Sequence, residues 1–143
     1  MSTWSIRSGA EGDIAAVLAL WRQGGGPTTA TDDEGALRAL LARDPEALLV
    51  AEASDELVGS LIAGWDGWRG SFYRLAVDPR WRRRGLATAL LRGGEERLGA
   101  LGARRLTAIV VADDDPAVEF WAAAGYERQT NRARFVRMLE NRC

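Results

Sequence analysis

An arginine-rich segment followed by small residues is the part of this sequence best suited to chemistry. It reads Arg82-Arg83-Arg84-Gly85-Leu86-Ala87-Thr88 and lies between a strand pattern and a long helical pattern. The first N–H groups of a helix lack partners inside the helix and lie at the positive end of its dipole, so they bind anions. Gly85 and Ala87 are small where a phosphate must approach the backbone, and the arginines add positive charge. The segment therefore predicts a pyrophosphate-binding loop.

The residue types that the chain lacks limit the reactions it can catalyse. The chain has no His and no Lys, and its one Cys is Cys143. These absences exclude a Ser-His-Asp triad, a His-ligated metal, a Cys-based zinc site and an internal disulfide. They also exclude Schiff-base chemistry and the P-loop lysine. A reaction must therefore use backbone groups, carboxylates, hydroxyl groups, arginine or water.

Length and charge predict one soluble domain spanning residues 1–143. The 143 residues are about one domain's worth, and the sequence shows no repeat or linker. The 19 basic residues nearly balance 20 acidic ones, so neither a nucleic-acid partner nor a membrane partner is expected. Because Met1–Arg7 lacks the apolar core of a signal peptide and no long apolar run follows, we expect a cytoplasmic protein.

The elements that position the loop follow from the periodicity of apolar residues. Strands are predicted over Thr3–Arg7, Ala47–Ala53, Leu57–Trp65, Ser71–Val77, Arg104–Val111, Tyr126–Thr130 and Ala133–Leu139. Helices are predicted over Glu11–Gln23, from a Thr31 cap to Asp44-Pro45, over Gly85–Leu101 and from Asp113 to Gly125. The order is β-α-α-β-β-β-α-β-α-β-β, an α+β domain. The strand at Arg104–Val111 is expected to be buried on both faces.

Two motifs in this order resemble the GNAT superfamily of acyl-CoA N-acyltransferases. The segment Arg82–Ala87 fits the signature Gln/Arg-x-x-Gly-x-Gly/Ala, and Leu75–Pro79 precedes it as in the family. The segment Ala117–Tyr126 matches Ala-x-x-Phe-Tyr-x-x-x-Gly-Phe/Tyr, apart from one position. The element order matches over nearly the whole chain. The turn Gly64–Ser71 is also similar to that of YpeA-type members, a bacterial subgroup.

The resemblance implies a GNAT fold with a mixed sheet of about seven strands and four helices. It implies transfer of an acetyl group from acetyl-CoA, without a metal, to a primary amine that attacks directly in a ternary complex. The amine would belong to a small molecule, a peptide or a protein, and the resemblance also allows a homodimer. The cofactor-binding residues it implies are Leu75, Ala76, Val77, Arg82, Arg83, Arg84, Gly85, Leu86, Ala87, Thr88 and Asp114. The N–H of Val77 would polarise the thioester carbonyl.

Trp121 departs from the pattern, because many members carry a tyrosine there that protonates the leaving thiolate. An indole N–H donates a hydrogen bond but does not release a proton near neutral pH. Tyr73 is a second candidate for this role, since strand alternation places Tyr73, Leu75 and Val77 on one face. The simpler interpretation of Tyr73 is a partly buried strand aromatic.

Three features of the sequence each allow two interpretations. If the acid has been lost at Trp121, the chain is a non-catalytic acyl-CoA-binding module rather than an enzyme. The acidic run Asp32-Asp33-Glu34 either starts a helix or holds a cationic amine. The segment Gly24–Pro27 either ends a helix or lines the acceptor pocket.

Overall fold

The structure is a computed structural model that describes residues 3–23 and 29–139. It divides into two compact units, Met1–Ile109 and Val110–Cys143. The elements of the first unit are β1 (Ser5–Ser8), α1 (Ile14–Gln23), α2 (Glu34–Arg43), β2 (Leu48–Ala53), β3 (Glu56–Trp65), β4 (Gly70–Val77), α3 (Leu86–Leu101) and β5 (Leu106–Ala108). The second unit contains α4 (Asp115–Ala123). Short 3-10 turns span Glu11–Asp13 and Pro79–Trp81. The predicted roles of Gly24–Pro27 lie outside the described residues.

The strands form one mixed sheet in the order β1-β2-β3-β4-β5. The first four pair antiparallel, and β5 pairs parallel to β4 over only three residues. The hairpin between β2 and β3 turns through Ser54 and Asp55, whose φ angles are 50° and 63°. Two central residues with positive φ match the twist of paired strands. The α+β class, the mixed sheet and the helices at the predicted places are confirmed.

Helices cover both faces of the sheet. On one face, Ile14, Val17 and Trp21 of α1 and Leu37 of α2 pack against Leu48, Val50 and Ile62. The other face carries α3, which buries Leu86, Leu90, Leu91, Gly94 and Leu98. Leu49 and Leu61 alternate with the residues of the first face, and both lie close to α3 glycines. Side-chain alternation along β2 and β3 thus supplies both layers of core.

A β-bulge interrupts β4. The pairs on either side of it are Ser60 with Ala76 and Ile62 with Tyr73. Leu61 therefore faces two residues, Arg74 and Leu75, where a regular ladder would supply one. Arg74 has a φ of 55°, in the left-handed region that residues with a side chain seldom adopt.

The bulge overturns the predicted alternation along β4. Tyr73 lies opposite Ile62, on the face covered by α1 and α2. Val77 lies opposite Gly59, where an added Cβ would lie 3.1 Å from Leu90 of α3. Tyr73 and Val77 therefore lie on opposite faces, and the prediction that they share one is wrong. The extra residue reverses the parity of every position beyond it.

Three predicted strands differ from the structure. The segment at Arg104–Val111 forms a strand only at Leu106–Ala108, and Ile109 is half exposed, so burial on both faces is wrong. The segments Tyr126–Thr130 and Ala133–Leu139 are not strands, and Phe135 is 92% exposed. Over residues 3–23 and 29–139, the sheet thus has five strands rather than about seven. Strand propensity depends on pairing and packing, and an isolated hairpin is only marginally stable.

Helix α2 begins at a different residue from the one predicted. The N-cap is Asp33, whose Oδ1 accepts a hydrogen bond from the Ala36 N–H at 2.7 Å. Thr31 does not cap the helix, although both residue types serve as N-caps. The predicted end is confirmed, because Asp44 is the C-cap.

Replacing two glycines of α3 by alanine, one at a time, should change the free energy of unfolding in opposite directions. An added Cβ on Gly94 would lie 2.8 Å from the Phe72 ring and 3.2 Å from Leu61, whereas one on Gly99 would meet no atom of the described residues within 4 Å. Alanine favours a helix by about 1 kcal/mol over glycine, so Gly99→Ala should raise the free energy of unfolding. Gly94→Ala should lower it, because overpacking costs about 1–3 kcal/mol. Urea denaturation checks both, and a stabilised Gly94→Ala would contradict the close helix–sheet contact.

Candidate functional site

The second half of β4 has an open edge. β4 pairs with β5 only over Gly70–Phe72, so beyond that point no described strand pairs with it on this side. On the other side, the Asp78 N–H donates to the Val58 carbonyl at 2.8 Å. Because successive backbone groups of a strand point to opposite edges, the N–H of Val77 points toward the open edge. An extended ligand can therefore pair with this backbone as a strand would.

The loop after β4 is fixed at its start by a buried carboxylate. Asp78 accepts hydrogen bonds from the Arg80 N–H and from the Arg80 guanidinium, both at 2.9 Å. These hydrogen bonds from Arg80 hold the pKa of Asp78 below its usual value. Arg80 is thus committed to the loop itself and does not belong to the anion site.

The N-terminus of α3 presents free backbone donors. Gly85 is the N-cap, with a φ of 85° and no capping side chain. The first helical hydrogen bond runs from the Ala89 N–H to the Gly85 carbonyl at 3.0 Å. The N–H groups of Leu86, Ala87 and Thr88 precede it and therefore have no acceptor within the helix. Among the described residues, an added Cβ on Gly85 would meet only the Trp4 ring within 4 Å, at 3.9 Å. Open space and unpaired donors together suit a phosphate group.

Three arginines beside this helix end keep their charge available. Arg82, Arg83 and Arg84 are exposed, and none of them forms an ion pair with a carboxylate in the described part of the chain. The Arg84 guanidinium stacks on the Trp81 ring at 4.8 Å, which restrains it without neutralising it. Arg83 has a φ of 63°, so the loop turns sharply just before Gly85. The donor set therefore fits a pyrophosphate.

The carboxylates of the acidic run Asp32-Asp33-Glu34 all have partners within the protein. Asp32 forms an ion pair with Arg74, Asp33 caps α2 and Glu34 pairs with Arg38. These contacts support the helix-start interpretation, because none of the three carboxylates is left to hold a cationic amine. Burial lowers the pKa of the Arg74 guanidinium.

Tyr73 is the one predicted catalytic side chain of the first unit. It is 49% exposed and lies on the face that α1 and α2 cover. An added Cβ on Gly64 would lie 3.4 Å from its ring, so a glycine leaves room beside it. Sequence reasoning selected Tyr73 but missed its neighbour Arg74, whose left-handed backbone no sequence pattern indicates.

In the second unit, Asp114 and Trp121 have structural contacts of their own. Asp114 is the N-cap of α4, and its Oδ1 accepts the Ala117 N–H at 3.2 Å. Trp121 is 8% exposed and meets Phe120 and Tyr126 edge to face, with ring centroids 5.7 and 5.0 Å apart. Both positions therefore support α4, and their predicted contacts with a cofactor stay predictions.

The part of the chain that the structure describes contains neither a metal-binding cluster nor a membrane-spanning helix. Within residues 3–23 and 29–139, no group of three or more Asp, Glu, Cys or His side chains is arranged to hold a metal ion. None of the helices in these ranges has the length and apolar character needed to cross a membrane.

Comparison with known proteins gives consistent matches. The model of the acetyltransferase (GNAT) family matches residues 14–126. An acetyltransferase of Pectobacterium atrosepticum is 35% identical over 137 residues, covering 96% of this chain and 97% of the relative. An acetyltransferase of Yersinia enterocolitica is 38% identical over 124 residues, covering 87% and 88%.

Solved structures show the same fold at low identity. Ard1 from Thermoplasma volcanium superposes with a TM-score of 0.80 at 20% identity, covering 89% of this chain and 84% of that one. The aminoglycoside N-acetyltransferase AAC(6')-Iy in complex with CoA gives 0.73 at 20% identity, covering 96% of both chains. The family model spans most of the chain, and the relatives match nearly end to end. The chain therefore belongs to the GNAT acetyltransferase family and is an acetyltransferase with that family's fold.

Proposed function

We propose that this chain transfers the acetyl group of acetyl-CoA to a primary amine, by direct attack in a ternary complex. The observation that carries the proposal is the open edge of β4, which leads through one short loop to the α3 N-terminus. An extended arm that ends in a pyrophosphate needs strand-edge backbone groups along its length and helix N-terminal N–H groups at its end, in that order. The proposed location is the cytoplasm.

Each part of the β4–α3 connection has a task in this proposal. The segment Leu75-Ala76-Val77 binds the pantetheine arm along the open edge, and the Val77 N–H, which points to that edge, polarises the thioester carbonyl. The pyrophosphate lies on the N–H groups from Arg82 to Ala87, with the Thr88 hydroxyl as a further donor and the arginines as counter-charges. Acetyl-CoA supplies the activated acyl group. Holding both reactants in place supplies much of the rate.

Proton transfer requires neither His nor Lys. An amine that arrives as an ammonium must lose one proton, and water can accept it. The departing thiolate needs a hydrogen-bond donor, for which we propose the Tyr73 phenol, with the Trp121 indole N–H as a weaker donor. We also keep Asp114 as a proposed contact with the cofactor.

The acceptor is a small-molecule amine or a peptide or protein amine. One structural neighbour is named as an aminoglycoside acetyltransferase, which motivates an aminoglycoside among the probes. The decisive experiment measures CoA release with kanamycin, spermidine, a peptide with a free N-terminus and a blocked peptide with one lysine. We expect release with at least one amine. Acetyl-CoA binding without release across the whole panel would instead support a non-catalytic acyl-CoA-binding module.

Replacing Trp121 tests the proposed thiolate donor. Trp121→Tyr restores a phenol at this position, so we expect turnover to rise by up to roughly ten-fold, below the ~10²–10⁴ that a full acid contributes. The smaller ring also loses packing against Phe120 and Tyr126, so the melting temperature should fall. Steady-state kinetics and thermal melts measure both. Trp121→Phe is the control. A Trp121→Phe enzyme as active as the parent would show that catalysis needs neither a proton donor nor an N–H group at this position.

A further inference from the structure

Arg74 and Asp32 form a partly buried ion pair between β4 and the segment before α2. The Arg74 Nε donates to the Asp32 Oδ1 at 3.0 Å, and its Nη2 contacts the other carboxylate oxygen. The Asp32 side chain is only 8% exposed. The guanidinium also lies over the Trp21 ring of α1, 5.1 Å from its centroid. A two-point contact between a planar guanidinium and a carboxylate fixes orientation as well as distance.

The backbone of Arg74 is held as firmly as its side chain. Its carbonyl accepts a hydrogen bond from the Ser60 Oγ at 3.2 Å, and that hydroxyl accepts the Trp21 Nε1–H at 2.8 Å. These contacts surround the residue whose φ is 55°. A left-handed backbone in a residue with a side chain persists where the surroundings over-determine it, and such positions cluster at functional sites.

Asp32 carries the contact into the segment between α1 and α2. Its Oδ2 accepts the Thr29 N–H at 2.8 Å, and its own N–H donates to the Thr29 carbonyl at 3.1 Å. The next residue, Asp33, caps α2. One carboxylate therefore connects residues 29–33 to the bulge of β4.

We propose that the Asp32–Arg74 ion pair is a positioning device for the amine acceptor, a role that rests on the proposed function. The bulge places Tyr73 on the face of α1 and α2, whereas the anion site belongs to α3, which covers the other face. Because Asp32 contacts Arg74, the chain neighbour of Tyr73, an amine that reaches Tyr73 in the proposed function passes beside residues 29–33. The ion pair holds this segment at a fixed distance from Tyr73 and from the open edge of β4. Arg74 is a positioning residue, because it acts through the segment it holds.

Three variants separate the ion pair from the bulge. Asp32→Asn removes the charge but keeps an oxygen for the Thr29 N–H. Arg74→Gly removes the side chain but adopts positive φ without strain, so the bulge is retained. Arg74→Lys keeps the charge without the two-point contact, so its effect should be intermediate. Arg38→Gln is the matched control, since it removes an arginine of α2 that pairs with the exposed carboxylates of Glu11 and Glu34 and leaves the Asp32–Arg74 ion pair in place.

The test combines kinetics with amide hydrogen exchange. The amine is the best acceptor among kanamycin, spermidine and the two peptides. In Asp32→Asn and Arg74→Gly we expect its KM to rise five-fold or more, with the Kd for CoA within two-fold of the parent value. Exchange at residues 29–33 should accelerate in both variants and stay unchanged in Arg38→Gln, whose ion pairs lie outside that segment.

Each outcome bears on a separate claim. An unchanged KM for the amine in Asp32→Asn would overturn the positioning role. Unchanged exchange at residues 29–33 would overturn the claim that the ion pair holds this segment. If the parent releases no CoA with any amine, the proposed function fails and the positioning role fails with it, while the exchange measurement still decides whether the ion pair holds the segment.

Discussion

Gly85→Glu is expected to abolish the rise in melting temperature that acetyl-CoA gives the parent protein. A ligand at 100 times its Kd stabilises the folded state by about 2.7 kcal/mol. For a chain of this size that corresponds to roughly 5–10 °C. The Gly85→Glu side chain fills the space that only the Trp4 ring now borders, and its negative charge repels the phosphates. Thermal melts with and without acetyl-CoA measure the effect.

Gly102→Glu is the matched control for this experiment. Gly102 caps the other end of α3, has a φ of 106° and has nothing near an added Cβ. Both substitutions therefore introduce the same charge and a similar backbone strain into the same helix. The control should melt lower than the parent and still show the full shift with acetyl-CoA. A normal shift in Gly85→Glu would contradict the assignment of the phosphate site.

Tyr73→Phe should lower kcat by ten-fold or more, toward the ~10²–10⁴ typical of a lost acid or base. The substitution removes only a hydroxyl, and at 49% exposure the ring should keep its packing. The affinity for CoA should stay within two-fold, because the phosphate donors lie in the loop and in α3. Steady-state kinetics with the best amine, together with CoA titration, separate these two effects.

Tyr126→Phe is the matched control, because the chain has two tyrosines. It removes the other phenol and leaves the edge-to-face contact with Trp121 in place. We expect its kcat to equal that of the parent. A loss in Tyr126→Phe but not in Tyr73→Phe would assign the proton donor to the second unit. If Tyr73→Phe alters only thermal stability, Tyr73 is a packing residue and the proton path runs through water.

The loop and helix start that carry the proposed phosphate site could be predicted from the sequence because their determinants are local. A glycine before a long helical pattern indicates the N-cap, and Gly85 has the positive φ that glycine tolerates best. Three neighbouring arginines could be recognised as an anion site without knowing the fold. The start of α4 was also predictable in outline, since Asp114 and Pro116 are typical of a helix N-terminus.

Only the tertiary structure decided which strands form and where β4 changes parity. Alternation along Tyr126–Leu139 predicted two strands, but a strand needs a partner, and propensity in one segment does not supply it. Arg74 at the bulge contacts Ser60 and Asp32, and Trp21 donates to Ser60, and these residues are distant from Arg74 in the sequence. The sequence by itself predicted an anion-binding loop before α3 and the correct order of the elements from β1 to α4. The faces of Tyr73 and Val77, and the partner of Asp32, were decided by the fold, because register and ion pairing are properties of contacts between segments.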